Sequence, residues 1–409
     1  MSNLQIDAPR LLSRIRALGA IGATPEGGVR RLALDDEDRD ARDRVVAWMQ
    51  EAGLEVRVDR IGNIIGTRRG TTDAAPVMTG SHTDSVANGG RLDGAYGVLA
   101  GLEVVETLND AKIETTRPIA VCVFTNEEGA RFQPDMMGSL VYAGGLALDD
   151  ALGTPDGDGV LLGDELERIG YAGDTPIGDV VPHAFVEVHI EQGPVLEADA
   201  VTIGAVENLQ GISWTGIKIS GQANHAGTTP MHLRHDTGFC VGAITSYVRD
   251  ITRRLGEQQV GTVGSIELEP GLINVIPGNA AMTVDLRNTD NEELKKAERL
   301  LDNFLDELRT SEGVTIETER LARFDPVRFD ETIARRIEDN AAMLGLTSRP
   351  MTSGAGHDAQ MMARLCPAAM IFVPSVDGVS HNPAEHTDDD DLNAGANVLL
   401  HTLLGLAED

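Results

Sequence analysis

Aromatic residues and cysteines are scarce in this chain of 409 residues. Aromatics make up 3% of the residues, so aliphatic side chains must fill the cores that a hydrophobic content of 41% allows. The three cysteines, Cys122, Cys240 and Cys366, are widely separated. They argue against a disulfide framework or a cysteine-based zinc site, and they favour a reducing, cytoplasmic compartment. The length favours two domains.

Long apolar runs are also lacking. No run of about 18 apolar residues occurs, so the sequence predicts no membrane-spanning helix. Residues 1–16 contain three arginines and no apolar stretch, which is not typical of a secretory signal.

Positive charge is the third deficit. The net charge is −31 and the pI is about 4.6, which excludes nucleic-acid binding through a general basic surface. Only four of the 34 basic residues are lysines, and acidic runs occupy 35–38 and 388–391. One hypothesis is adaptation to a salty cytoplasm, where screening suppresses repulsion between surface acids. The alternative is an ordinary acidic cytosolic protein.

The first half of the chain alternates predicted strands and helices. Residues 75–81, 118–125 and 185–190 are predicted strands, and 95–108 is a predicted helix with one apolar face. The run at 118–125 is almost wholly apolar, as in a strand that is buried on both faces. Polar residues follow these strands at their carboxyl ends, where open α/β sheets place ligands.

The pattern changes between 213 and 322. Strands and helices follow one another there in the order β-α-β-β-α-β, which is the ferredoxin-like order. We therefore predict an α/β domain with a mixed sheet and helices on both faces, formed by 1–212 and 323–409. The ferredoxin-like α+β domain at 213–322 is inserted into it. The last predicted helix covers 392–406.

Histidines and acids with metal-binding chemistry recur in five short motifs. The motifs are Gly80–Ser85 with Gly89–Gly94, Thr125–Gly129, Glu187–Pro194, Ala223–Gly227 and Ser380–Glu385. Taken singly, each histidine or aspartate would more often be structural. Their occurrence together at predicted strand ends predicts a hydrolase site with two divalent metal ions.

Each metal ion needs its own ligands and a carboxylate shared with the other ion. Asp93, on a glycine-flanked turn, is the expected bridge. His82 and His189 would bind one ion, whereas Glu128 and His381 would bind the other. Mixed histidine and carboxylate ligation suits zinc, manganese, cobalt or nickel.

Two further acids have predicted roles beside the ligands. Asp84 is expected to accept the second ring N–H of His82 with its carboxylate and so fix the tautomer. Glu127 immediately precedes the proposed ligand Glu128, and it is the expected general base. The alternative for Glu127 is a solvated acid in a turn.

Over almost its whole length, the sequence resembles the M20 metallopeptidase clan. Within that clan it is similar to the amidase branch, which contains N-carbamoyl-L-amino-acid hydrolases, β-ureidopropionases and allantoate amidohydrolases. Peptidases of the clan tend to have an acid where this chain has His189, so His-Ile-Glu-Gln-Gly-Pro at 189–194 resembles the amidases. The resemblance implies a homodimer that associates through the inserted domain.

The resemblance also implies substrate-binding roles for Gln192, His225, Asn274 and Arg287, and for a glycine-rich loop at 354–357 that contains Gly356. Arg287 has a planar fork suited to an α-carboxylate, although a surface ion pair is the alternative. His225 could donate to a developing oxyanion, after domain closure or from a partner subunit as in the family. Asn274 could contact carboxylate or carbonyl, or could be a structural loop amide.

The expected reaction is hydrolysis of a ureido or amide C–N bond in a small substrate that carries a carboxylate. An N-carbamoyl-L-amino acid would yield amino acid, ammonia and carbon dioxide. Allantoate amidohydrolase, β-ureidopropionase and an M20-type peptidase or deacylase are the alternative enzymes. A non-catalytic metal-binding protein is the alternative from another class, and the intact pair Glu127–Glu128 argues against it.

Overall fold

The computed structural model describes residues 4–409, so residues 1–3, which belong to the predicted first segment, lie outside the described part of the chain. The strands are β1 Glu55–Val58, β2 Ile64–Arg68, β3 Val77–His82, β4 Ile119–Phe124, β5 Ala184–Ile190, β6 Ile203–Leu209, β7 Gly211–Ser220, β8 Asn224–His225, β9 Val260–Glu269, β10 Val275–Ile276, β11 Asn279–Asn288, β12 Thr315–Phe324, β13 Val327–Arg328, β14 Ser348–Ser353 and β15 Ala368–Val373.

Helices lie before, between and after these strands. They are α1 Ala8–Gly19, α2 Asp36–Glu51, α3 Ala95–Asp110, α4 Met137–Tyr142, α5 Leu148–Leu152, α6 Leu162–Ile169, α7 Val195–Ala198, α8 Thr237–Leu255, α9 Asn291–Glu312, α10 Glu331–Met343, α11 Asp358–Met362 and α12 Asp389–Glu408. Within residues 4–409, no helix is both long enough and apolar enough to cross a membrane.

The chain forms two compact units. One contains the residues up to Glu207 together with Phe329–Asp409, and the other is Asn208–Arg328. The expected insertion was 213–322. The observed limits are wider because the two crossing strands β6 and β13 pair with each other, Leu209 opposite Val327 and Asn208 opposite Arg328.

The first unit is built on eight strands of a nine-stranded sheet, because β13 and the last residues of β6 fall within Asn208–Arg328. Its order is β1-β2-β4-β3-β5-β15-β6-β13, and β14 pairs with β6 beside this path. The neighbours β4, β3, β5 and β15 run parallel, whereas β2 with β4 and β15 with β6 are antiparallel, so the predicted mixed sheet is confirmed.

The centre of this sheet is covered on both faces. Every residue of β3, β4, β5 and β15 is buried. Because successive side chains in a strand point to opposite faces, full burial requires helices on both sides. Since the four strands are parallel, their carboxyl ends meet at one edge. His82 and His189 lie at the ends of β3 and β5, and the segments that contain Glu127 and His381 follow β4 and β15.

The second unit has a four-stranded antiparallel sheet in the order β12-β7-β11-β9. The helices α8 and α9 pack on one face of it and share a single core with the strands. Asp236 caps α8 by accepting from the N–H of Phe239, and Asp290 caps α9 in the same way through Glu292 and Glu293. The predicted β-α-β-β-α-β order is present, with the short pair β8–β10 added.

Candidate metal centre

Asp93 lies on a tight turn between β3 and α3. The next residue, Gly94, has φ +62°, and a Cβ atom there would lie 2.4 Å from Cε1 and Nε2 of the His82 ring. Only a glycine fits this conformation and this close approach without strain. The glycine at 94 therefore lets the backbone of the turn reach the imidazole that ends β3.

The carboxylate of Asp93 is shared by three histidines. Its Oδ1 atom lies 3.1 Å from Nε2 of His189 and 3.6 Å from Nε2 of His82. Its Oδ2 atom lies 3.3 Å from Nε2 of His381, and that same Nε2 lies 3.4 Å from Oε2 of Glu128. The two oxygens of Asp93 thus face different sets of side chains.

These five side chains form two groups that share Asp93. In the group His82, Asp93 and His189, and in the group Asp93, Glu128 and His381, the candidate ligand atoms lie within 4.8 Å of one another. The structure therefore brings together all five residues that the sequence predicts as metal ligands. Two imidazoles with a carboxylate, and one imidazole with two carboxylates, are donor sets that suit divalent transition metals.

The buried histidines have their Nε2 atoms available as acceptors. Nδ1 of His82 lies 2.9 Å from the carbonyl oxygen of Asp84, and Nδ1 of His189 lies 2.9 Å from that of Ile190. Because a carbonyl only accepts, Nδ1 bears the hydrogen and the Nε2 lone pair faces Asp93. The N–H of Gly94 donates to Nε2 of His189 at 3.1 Å, which agrees with this tautomer.

Asp84 differs from its predicted role. Its carboxylate Oδ1 lies 3.8 Å from Nδ1 of His82, so the backbone carbonyl rather than the carboxylate accepts the ring N–H. The carboxylate instead accepts the N–H groups of Glu127 at 3.3 Å and Glu128 at 3.2 Å. Asp84 thereby ties the end of β3 to the segment that follows β4.

Glu127 lies beside the ligand groups without belonging to either. Its Oε2 atom is 3.3 Å from Nε2 of His82, and the residue is only 8% exposed. Burial raises the pKa of the Glu127 carboxyl well above its usual value, and the charges of Asp358 and Glu128 act in the same direction against the opposing effect of His82. A carboxyl with a raised pKa is a stronger base than an exposed one.

The pKa values of two acids in the centre, Glu128 and Asp93, are shifted in opposite directions. Burial and the charge of Asp93 raise the pKa of Glu128 to about 8. Burial opposes ionisation of Asp93 as well, yet the close approach of the His189, His381 and His82 imidazoles holds its pKa well below the usual range. The carboxylate at the centre of both groups is therefore the most strongly ionised one, as a bridging ligand requires.

A third set of side chains lies close together behind His189. Glu187, His189 and His357 also approach within 4.8 Å. Both oxygens of Glu187 are already engaged, by the hydroxyl of Ser81 at 2.6 Å and the N–H of Ala359 at 2.8 Å. The His357 ring packs edge-on against His189, 4.6 Å between centroids. We therefore interpret Glu187 and His357 as residues that pack behind His189 and hold its ring in place, and not as ligands of another ion.

Two buried arginines lie under the strand ends and were not predicted. Arg42 forms an ion pair with Asp38 in which both side chains are fully buried, and its guanidinium also donates to Thr125 at 3.4 Å. Arg31 donates to the carbonyl of Thr83. Arg31 thus holds the backbone of the residue after His82, and Arg42 contacts the hydroxyl of the residue after β4. Both arginines are far from these residues in the sequence, so no local pattern predicted the contacts.

The predicted substrate residues divide between the two units. In the first unit, Gln192 has φ +57°, and its amide donates to Oδ2 of Asp93 at 2.9 Å. Gly356 lies in the loop before α11, where a Cβ atom would meet Met136 at 3.0 Å. Gln192 is therefore in direct contact with the candidate centre, whereas Gly356 lies on a loop in which space is restricted.

In the second unit, His225 and Asn274 are neighbours. The strands β8 and β10 pair there, and the N–H of Ala226 donates to the carbonyl of Asn274 at 3.0 Å. Nδ1 of His225 accepts from the N–H groups of Gly227 and Thr228, at 3.0 and 3.2 Å. In the neutral ring, Nε2 then bears the hydrogen and is a donor on an exposed side chain.

Arg287 lies on β11 of the same unit. Its guanidinium donates to the carboxylate of Asp285, at 3.0 Å from Nε and 2.9 Å from Nη2. The structure therefore has the ion pair that was the alternative for Arg287. The same contact shows a guanidinium placed to bind a carboxylate, so the predicted role in substrate binding stays a prediction.

The fold and the centre together have the features of a metal-dependent hydrolase. Residues 72–405 match Peptidase family M20/M25/M40, and the chain belongs to this family. The family is metal-dependent, and the two candidate ligand groups both lie within the matched residues.

Relatives are similar over nearly the full length. An N-carbamoyl-L-amino-acid amidohydrolase from Rhizobium meliloti is 40% identical, over 99% of this chain and 98% of its own. An allantoate amidohydrolase from Escherichia coli is 35% identical, over 95% and 96%. The crystal structure of an amidase of the hydantoinase/carbamoylase family from Burkholderia multivorans superposes with a TM-score of 0.96 and 44% identity, covering 99% of each chain.

Proposed function

We propose that the chain is a metal-dependent amidohydrolase that cleaves the carbamoyl C–N bond of N-carbamoyl-L-amino acids to amino acid, ammonia and carbon dioxide. The observation that carries this proposal is the carboxylate of Asp93, which is shared by two ligand groups, with the buried Glu127 beside them. The full-length similarity to an N-carbamoyl-L-amino-acid amidohydrolase supports the substrate class.

Two divalent ions fit the side chains that are present. His82, Asp93 and His189 would hold one ion, and Asp93, Glu128 and His381 the other. Zinc, manganese, cobalt and nickel all accept such mixed ligation. When bound, the ions would act as Lewis acids toward the carbamoyl group and toward water.

Glu127 carries the protons in the proposed reaction. Its carboxylate removes a proton from the attacking water, and its protonated form returns a proton to the leaving nitrogen. Its burial favours this role, because the carboxyl pKa is raised well above the usual value and the group is a correspondingly better proton acceptor.

The remaining polar groups would bind and orient the substrate. In the first unit, Gln192 and Gly356 would line the substrate site. In the second, the Nε2–H of His225 would donate to the carbonyl oxygen as negative charge develops, with Asn274 beside it. Arg287 would bind the α-carboxylate with the fork that now holds Asp285.

Allantoate amidohydrolase is the second candidate. The Escherichia coli relative supports it, and the same ligand groups and base would serve the reaction. β-Ureidopropionase and peptidase activities are lesser alternatives that the assays below distinguish, and a deacylase would give no ammonia from any of the ureido substrates.

One set of assays tests the proposal. Purified protein loaded with Mn²⁺, Co²⁺, Ni²⁺ or Zn²⁺ is supplied with N-carbamoyl-L-amino acids, N-carbamoyl-β-alanine or allantoate, and ammonia is measured. Amine release from dipeptides is measured in parallel. We expect ammonia from N-carbamoyl-L-amino acids at the highest kcat/KM. Preference for allantoate would establish the second candidate, and dipeptide cleavage alone would overturn the proposal.

Substitution of Arg287 tests the assignment of the carboxylate site. Lysine retains the charge and loses the planar fork, so Arg287→Lys should raise KM for an N-carbamoyl amino acid and leave kcat nearly unchanged. The matched substrate is the corresponding carboxamide, for which wild type and variant should have equal KM. An unchanged KM for the carboxylate substrate would contradict the role.

The proposal includes three properties of the whole protein. The second unit would act as lid and dimerisation domain of a homodimer.

The three cysteines are free in the structure, in keeping with a reducing cytoplasm. The acid excess with few lysines would adapt the surface to high salt. Mass measurement by light scattering tests the dimer, and the mass of a monomer would contradict it.

A further inference from the structure

We propose that Glu385 is a positioning residue, which fixes the Asp93 turn and joins it to the loop that carries His381. The inference rests on the two-ion function proposed above. Glu385 is 5% exposed, and its Oε1 atom accepts from the N–H groups of Leu92 at 3.0 Å and Asp93 at 3.2 Å. A buried carboxylate therefore holds the backbone of the residue whose side chain both ligand groups share.

The second oxygen of Glu385 leads back to the same aspartate. Oε2 accepts from the hydroxyl of Ser380 at 2.8 Å. The Ser380 oxygen in turn accepts from the amide of Gln192 at 3.2 Å, and that amide donates to Oδ2 of Asp93 at 2.9 Å. Because a hydroxyl donates and accepts at once, these bonds form a closed path that holds Asp93 by backbone and side chain.

His381 depends on this path more than the other histidines do. Its side chain is 54% exposed, whereas those of His82 and His189 are 2% and 1% exposed. Its backbone also has φ +51°, a region that non-glycine residues seldom adopt. Packing therefore does not fix His381, and the anchored loop at 380–385 must do so.

The turn is shaped to receive the Glu385 carboxylate. A Cβ atom at Gly90 would lie 2.0 Å from Oε1 and 2.2 Å from Cδ of Glu385. These distances are far shorter than any non-bonded contact, so only a glycine leaves room for the carboxylate. The carboxylate of Glu385 therefore requires a glycine at position 90. The two residues are far apart in the sequence, so residue spacing does not reveal this contact.

Metal titration of variants tests the role. Isothermal calorimetry with Mn²⁺ and with Zn²⁺ on the metal-stripped full chain should give two ions per wild-type chain. Glu385→Ala should weaken binding by about 10- to 100-fold, the usual effect of losing a group that orients a ligand. Glu385→Gln should recover most of the affinity, because its amide oxygen still accepts both N–H groups and its nitrogen can donate to Ser380.

A matched variant separates positioning from general loss of stability. Glu103 is also buried, and it accepts from the N–H of Asp7 and the hydroxyl of Thr107 without contacting the centre. Glu103→Ala should lower the melting temperature and leave metal affinity unchanged. Wild-type affinity in Glu385→Ala, or equal loss of affinity in Glu103→Ala, overturns the role of Glu385.

Two further outcomes are decisive. If Glu385→Ala does not fold, Gly90→Ala replaces it, because the added methyl displaces the carboxylate while leaving it in the chain. Its affinity should fall in the same way, and an unchanged affinity would refute the proposal. Should wild type itself bind no divalent ion, the two-ion function fails, a result distinct from failure of the Glu385 inference alone.

Discussion

Oε2 of Glu127 lies 3.3 Å from Nε2 of His82, the atom that also faces Asp93. The proposed base therefore contacts one proposed ligand through the atom that would bind the ion. Asp84 holds both partners, His82 through its carbonyl oxygen and Glu127 through its carboxylate. A single residue just after β3 therefore joins the ring of the proposed ligand to the backbone of the proposed base.

Replacement of Glu127 by glutamine should separate metal binding from turnover. Glu127→Gln keeps the shape of the side chain and loses the proton acceptor, so kcat should fall by about 10²- to 10⁴-fold with metal stoichiometry unchanged. Glu165→Gln is the matched control, because Glu165 is likewise 8% exposed and lies outside both ligand groups. Near wild-type turnover in Glu127→Gln would show that another group is the base.

The glycine at 94 should matter for a steric reason beyond its backbone angle. Gly94→Ala places a methyl group 2.4 Å from ring atoms of His82, so both stability and metal affinity should fall. Gly53→Ala is the control, since Gly53 has φ +80° with nothing within 4 Å. It should cost about 1 kcal/mol of unfolding free energy from backbone strain alone. Equal effects on metal affinity would contradict the steric account.

Asp59 should make stability depend on pH outside the active centre. Burial raises its pKa to about 6, against hydrogen bonds from Asn63 and Ile61. Because the folded-state pKa exceeds the unfolded value, its contribution is complete below about pH 4 and is lost as pH rises through 6. Urea unfolding at pH 5 and pH 7 should show wild type losing about 1.4 kcal/mol more than Asp59→Asn. Parallel curves would refute this.

The acid-rich surface predicts that salt stabilises the protein. With a net charge of −31, screening should reduce self-repulsion, so the melting temperature should rise between 0.1 M and 2 M KCl. Sucrose of matched osmolality controls for preferential exclusion. Equal melting temperatures at both salt concentrations would remove the hypothesis of adaptation to salt.

The sequence predicted the parts of the centre whose signals are local. Apolar runs located β3, β4 and β5, and the polar residues that follow them fell at one edge because parallel strands end together. The last helix was predicted from 392, but it begins at Asp389, since acids in a first turn are stabilised by the helix dipole and belong inside the helix.

Residues that act through distant partners could not be found in this way. Glu385 stands in the same motif as His381, yet its acceptor role depends on the turn at 90–93, almost three hundred residues earlier. The sequence predicted that the carboxylate of Asp84 accepts the ring N–H of His82, but the backbone carbonyl of Asp84 accepts it instead. Such choices between nearby oxygens depend on angles that residue spacing does not encode.

The position of β15 has a consequence for the order of assembly during synthesis. This strand lies between β5 and β6 in the nine-stranded sheet, and it is made only after the whole of Asn208–Arg328 has left the ribosome. Until β15 is made, β5 and β6 lack the strand that lies between them, whereas the ferredoxin-like unit already has all its strands and helices. The nascent chain would therefore complete its inserted part first, and the hydrolytic part only as the final fifth emerges.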